Sequence, residues 1–145
     1  MKYIKLFEDR LESLRKLAAL GLVDWPQELV DYINGPMTGN LHLFDIPIRE
    51  LPAGLVVGGD LDLRRTGIMV LPAGLVVGGD LLLSRTGIES LPDGLRVGRD
   101  LDLGRTGIRE LPNGLTVGRH MFITDTGIKA LPPDLQVGGK IIGFR

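Results

Sequence analysis

The residues able to do acid–base or metal chemistry in this 145-residue chain recur at intervals of twenty. Carboxylates stand at Asp60, Asp80 and Asp100 and again at Asp62 and Asp102. Arginines fall at Arg65, Arg85 and Arg105, threonines at Thr66, Thr86, Thr106 and Thr126, and the two histidines are His42 and His120. Catalysis finds little support in that pattern. The histidines lie about four repeats apart, near 19 Å at the spacing of adjacent strands, too far to share a metal or relay a proton. No serine sits in a nucleophile elbow, and no glycine-rich stretch matches a phosphate cradle. With Cys 0, disulfides, cysteine-ligated zinc and thiol chemistry are excluded. The expectation is a chain that is not an enzyme and needs no cofactor or metal.

Two periodic chemistries still have to be weighed. Val-Gly-Gly-Asp-Leu-Asp resembles half of the calcium repeat G-G-x-G-x-D. The third glycine is missing, Leu82 and Phe122 interrupt one acidic column, and His120 and Lys140 end the other. Six to eight oxygens are then out of reach. The threonine column, turned outward, would suggest ice binding. Each threonine, however, follows Arg or Asp and precedes Gly, whereas a flat ice-binding face wants paired, uncharged threonines. Turned inward, each hydroxyl could satisfy backbone groups of its own turn and of the next coil. The inward role is expected.

The spacing comes from an internal repeat. From Leu51 the chain reads LPAGLVVGGDLDLRRTGIMV, LPAGLVVGGDLLLSRTGIES, LPDGLRVGRDLDLGRTGIRE, LPNGLTVGRHMFITDTGIKA and the partial LPPDLQVGGKIIGFR. Such a period means a solenoid, whose units bury each other's apolar edges and do not fold alone. Numbering each unit from its opening leucine, Leu recurs at places 1, 5, 11 and 13, Val at 7 and Ile at 18. Asp-Leu-x-Leu alternates and reads as a strand with its leucines inward. Leu-x-Val could be a second short extended segment. Glycines at places 8, 9 and 17 are expected to form corners, by positive φ or by close approach of coils. Pro and Gly are spread too densely for a helix within a unit.

Ahead of the repeats, Ile4, Phe7, Leu11, Leu14 and Leu17 recur at helical spacing. A second short helix is expected from Asp24, as N-cap before Trp25-Pro26, to about Asn34. Residues 1–35 are therefore read as a helical hairpin capping a solenoid that spans 36–145. That solenoid comprises a degenerate first repeat over 31–50, repeats at 51–70, 71–90, 91–110 and 111–130, and a partial unit at 131–145. Formal net charge is −1, with 6 Lys/Arg against 8 Asp/Glu in residues 1–50 and 11 against 10 beyond. Neither part has the basic excess of a nucleic-acid or membrane-surface binder. No apolar run approaches the ~20 residues that cross a bilayer. The N-terminus turns acidic within ten residues and shows no Sec signal, so a cytoplasmic protein is expected, with any export by another route.

Leu-x-Leu-x-x-Thr-x-Ile-x-x-Leu-Pro resembles the L-x-L-x-x-N-x-L core of leucine-rich repeats. The 20-residue length and Leu-Pro opening are most similar to the short bacterial class found in type III effectors, which also begin with a helical hairpin. The resemblance implies a mostly β solenoid with a parallel strand ladder. Threonine in place of the family's asparagine, and Leu-x-Val-Gly-Gly in place of its second proline segment, leave two forms open: an open arc or a three-sided β-helix.

On such a scaffold the variable outward residues are those that select a partner. Place 12 carries His42, Asp62, Leu82, Asp102 and Phe122, flanked by acids at place 10 and arginines at place 15. The acids and arginines are expected to pair along and between coils. Asp62, Arg65, Leu82, Arg85, Asp102, Arg105 and Phe122 are the candidate contacts with a protein partner. The alternative is structural: Ile141, Ile142 and Phe144 lie in a coil without a lid, and two chains meeting there would form a closed homodimer.

Overall fold

A computed structural model describes residues 25–144. Its one described helix, α1 (Gln27–Asn34), starts where Pro26 turns from extended backbone (φ −61°, ψ 149°) and accepts the amides of Leu29 and Val30 at 3.0 and 3.1 Å. The expected start at Asp24 is therefore displaced. Pro26 is itself the N-cap residue and supplies no side-chain cap, while Asp24 and the expected first helix lie outside the described residues. Leu29 and Ile33, four residues apart, put one face of α1 into the core. Tyr32 ties the helix to the first coils. Its hydroxyl donates to the Gly39 carbonyl at 2.7 Å and accepts the Gly58 amide at 3.3 Å. Burial raises its pKa, and the bond from Gly58 opposes that shift.

The rest is a β-solenoid built of two parallel ladders. The first consists of β1 (Leu41–His42), β3 (Leu61–Asp62), β5 (Leu81–Leu82), β7 (Leu101–Asp102), β9 (Met121–Phe122) and β11 (Ile141–Ile142). The second consists of β2 (Val56–Val57), β4 (Val76–Val77), β6 (Arg96–Val97), β8 (Thr116–Val117) and β10 (Gln136–Val137). Each strand pairs with its equivalent one unit away, as in Leu61↔Leu81↔Leu101 and Val77↔Val97↔Val117. Strands expected at 41–43, 61–63, 81–83, 101–103 and 121–123 lie there, each with two residues in the ladder. The Leu-x-Val segments form the second ladder, so a coil has two strand limbs and one irregular limb running through Thr-Gly-Ile and Leu-Pro.

The interior is a stack of identical layers. Leu61, Leu63 and Ile68 are fully buried, as are Leu81, Leu83 and Ile88 and then Leu101, Leu103 and Ile108. This is the arrangement in which each unit's apolar surface is covered by its neighbours. At places 8 and 9 the glycines take the second of the two expected roles, close approach of coils, and positive φ falls elsewhere. Among the described residues the glycines with positive φ are Gly54, Gly74, Gly94 and Gly114 at place 4 (φ 70–80°) and Gly143 in the last unit (φ 93°), none of them at places 8, 9 or 17. At place 8 the need is closeness instead, since a Cβ on Gly78 or Gly98 would run into the carbonyl of the glycine one coil earlier. The second left-handed corner is place 15, where Asp45, Arg65, Arg85, Arg105 and Asp125 hold φ of 56–62°.

Candidate functional site

Four columns of polar or variable residues flank the first ladder, and the structure sorts them into scaffold and display. The acids of place 10 belong to the scaffold. The Asp60 amide donates to Asn40 Oδ1 at 2.7 Å, Asp80 to Asp60 Oδ1 at 2.7 Å and Asp100 to Asp80 Oδ1 at 2.9 Å. The line continues with His120 donating to Asp100 Oδ1 at 3.0 Å and Lys140 to His120 Nδ1 at 3.0 Å. Each side chain thus caps the backbone of the next coil, where the strand has turned away from the regular ladder. His120 serves through Nδ1 as the acceptor. Lysine carries only donors, so Lys140 can offer no further rung. The expected pairing of these acids with the arginines of place 15 is not what the structure shows: among the described residues, Asp60, Asp80 and Asp100 make no ion pair.

The threonines are inward, as expected, but each serves only its own turn. Thr66, Thr86, Thr106 and Thr126 donate from Oγ1 to the carbonyls of Leu63, Leu83, Leu103 and Ile123 at 2.7–2.8 Å. No threonine hydroxyl reaches the next coil among the described residues.

Place 15 is display. Arg65, Arg85 and Arg105 are exposed on the left-handed corners. The column is closed at both ends by acids, with Arg65 Nε 3.9 Å from Asp45 Oδ1 and Arg105 Nε 3.5 Å from Asp125 Oδ2. Both pairs are in open solvent, where such contacts contribute little. Arg85, at the middle, has no ion pair among the described residues.

Place 12 divides. Leu82, Asp102 and Phe122 are partly exposed and His42 is exposed. Asp62, expected to meet a partner, is only 5% exposed because Arg64 covers it. Arg64 Nε donates to Asp62 Oδ1 at 2.9 Å, Nη2 to Oδ2 at 2.7 Å, and the Arg64 amide to Oδ1 at 3.2 Å. Burial works to raise the Asp62 pKa. The side-chain and amide hydrogen bonds from Arg64, with the charges of Arg64 and His42, outweigh it and hold the carboxyl below the usual range. The guanidinium is held charged in turn, first by its bond to Asp62, with the charge of Asp102 adding to that. Its Cζ stands 5.2 Å from the centre of the Phe44 ring, and that of Arg65 5.8 Å, within the range of cation–π attraction.

Phe44 and Arg64 lie on the same outer face and were passed over by the sequence reading. The signal was present, because place 14 (Phe44, Arg64, Ser84, Gly104, Thr124) varies as freely as place 12. At the far end, Ile141 packs partly against the core, while Ile142 and Phe144 are each 40% exposed. No three metal-capable side chains cluster among the described residues, and no helix there is long and apolar enough to cross a membrane. No protein-family model matches the chain, and comparison with curated proteins and with solved structures finds no match.

Proposed function

We propose that this protein is a non-catalytic recognition scaffold that binds one protein partner through the outer face of its first ladder. It is allied in kind to the short leucine-rich-repeat effectors or inhibitors of bacteria or phage. The observation that carries the reading is the division of labour within each coil. Places 11, 13 and 16 are tied into the core or the backbone and hardly vary, and place 10 serves the amide of the next coil whether it holds Asn40, an aspartate or His120. Places 12 and 14, between them, hold Phe, Leu, Asp, Arg, His, Ser, Gly and Thr, exposed or partly exposed except at Asp62. A rigid scaffold with residue choice concentrated on one displayed strip is how repeat proteins encode a partner.

Capture of partners on the tagged chain, followed by direct titration of the purified candidate, tests it. The variant Arg85→Glu/Arg105→Glu/Phe122→Ala serves as control. Loss of these contacts should weaken binding by ~2 kcal/mol or more while the melting curve stays that of the parent. A partner that binds the triple variant at full strength would place recognition elsewhere.

A second reading is favoured by the exposure of Ile142 and Phe144 beside the outermost described strand: self-association of two chains through this coil. Sedimentation equilibrium at micromolar concentration should then show a dimer that Phe144→Glu dissociates, and a monomer in both samples defeats it.

A further inference from the structure

We propose that Asp102, between Leu82 and Phe122, is a docking point for an arginine side chain presented by the protein partner, an inference that rests on the recognition reading above. The fold contains its own template for such a site. At Asp62 a guanidinium sits on the carboxylate through both oxygens and lies against an aromatic ring, that of Phe44. Forty residues on, Asp102 forms the same turn, with the Gly104 amide donating to Oδ1 at 2.9 Å. What differs is place 14, where glycine stands instead of arginine.

The room is open. A Cβ built on Gly104 would meet only Asp102 Oδ1 at 3.1 Å and the Thr124 carbonyl at 3.6 Å. Asp102 Oδ2, the counterpart of the oxygen that receives Arg64 Nη2 at the template, has no donor among the described residues, and Asp102 stays partly exposed. The aromatic component is restored from the other side. Phe122 is the register partner of Asp102 on β9, one strand spacing away, and Leu82 is its partner on β5. The ring of Phe122 stands edge to face with His120, centroids 6.4 Å apart at 72°, a contact that helps fix its orientation. Carboxylate, ring and aliphatic wall are together what a guanidinium prefers. Its planar fork donates twice to the carboxylate and its face stacks on the ring, while the more strongly hydrated lysine ammonium can use neither geometry. Three of the cations on this face are already turned to acids of their own, Arg64 to Asp62, Arg65 to Asp45 and Arg105 to Asp125.

The experiment is an amide-resolved NMR titration of the full chain at low salt with the peptide acetyl-Gly-Arg-Gly-amide, beside its citrulline and lysine counterparts. The arginine peptide should shift the Gly104 and Phe122 amides saturably, and the uncharged citrulline peptide should not. Asp102→Asn should weaken binding about tenfold or more, as expected for loss of a charge-assisted pair. Gly104→Arg supplies the missing guanidinium from within the chain and should block the peptide while the fold persists. Arg64→Gly should open a second, equivalent site at Asp62. Equal binding of the citrulline peptide, undiminished binding by Asp102→Asn, or indifference to Gly104→Arg each overturns the proposal, and the peptide and Gly104→Arg arms hold even where Asp102→Asn misfolds. A captured partner that ignores every strand-face substitution defeats the recognition reading and leaves the arginine site standing on the peptide data. A partner lost with those substitutions, beside a peptide indifferent to Asp102, upholds recognition and overturns this inference.

Discussion

Two charged columns run through three successive coils, five residues apart in each, and they do opposite work. Asp60, Asp80 and Asp100 bend along the axis and accept the amide of the next coil. Arg65, Arg85 and Arg105 stand on left-handed corners with their guanidinium groups in solvent. The first column joins coils and would be needed by any solenoid of this design. The second imposes like-charge crowding and a backbone conformation that Asp or Asn tolerates better than Arg, and it gives the scaffold nothing comparable in return. The first kind of charge is consumed by the backbone; the second stays exposed on the face where the proposed partner would meet it.

The largest test of that contrast uses its apolar counterpart on one strand. Leu81 is fully buried and Leu82 partly exposed. Leu81→Ala should lose ~2–5 kcal/mol through the cavity it leaves, and Leu82→Ala should lose well under half of that. Paired urea melts decide it, and equal losses would mean that the inward and outward faces are not as described.

Next in size is the acid column itself. Asp80→Ala removes the acceptor of the Asp100 amide in a partly buried setting and should cost roughly 1–2 kcal/mol. Asp80→Asn keeps an oxygen at the same place, as Asn40 does at the head of the column, and should be nearly silent. If Ala and Asn behave alike, the rungs contribute nothing.

A pH series sharpens the comparison at Asp62, the one candidate contact that the scaffold has taken for itself. Its folded-state pKa is depressed by Arg64 against the pull of burial. The carboxylate therefore adds stability that is fully present above the unfolded value, ~3.9. That stability is lost as pH falls through the lower folded value. The stability gap between the parent and Asp62→Asn should accordingly shrink as pH falls below about 5. A gap independent of pH would remove the ion pair from the account.

The smallest effect is expected at Arg85. Arg85→Gly relieves the left-handed corner and loses chain stiffness in the unfolded state, so stability should stay within ~0.5 kcal/mol. Arg85→Val should cost ~1–2 kcal/mol at the same φ of 59°. A large loss on Arg85→Gly would make the arginine part of the scaffold after all.

By itself the sequence determined the coil. Leucines at alternate places, repeated every twenty residues, leave one way to bury them all, and so the first ladder, its register and its inward threonines were legible. The Leu-x-Val segment was legible as extended chain but not as a second ladder, because two residues carry too little pattern to show what they pair with. Glycine identity did not reveal which corners are left-handed. Close packing at place 8 and positive φ at place 4 select the same residue, and at place 15 the chain uses arginine where glycine would have marked the turn.

Only the tertiary structure decided which outward side chains remain outward. Alternation says that Asp60 and Asp62 leave the core. It cannot say that Asp60 folds over onto an amide twenty residues on, or that Arg64 reaches back two residues to close Asp62 while Gly104 leaves Asp102 open. Those outcomes depend on distances across coils and around a turn, and a hydrogen bond is decided by such distances within a few tenths of an ångström. Residue order fixes the column a side chain occupies, and three-dimensional geometry fixes whether it is still free to bind.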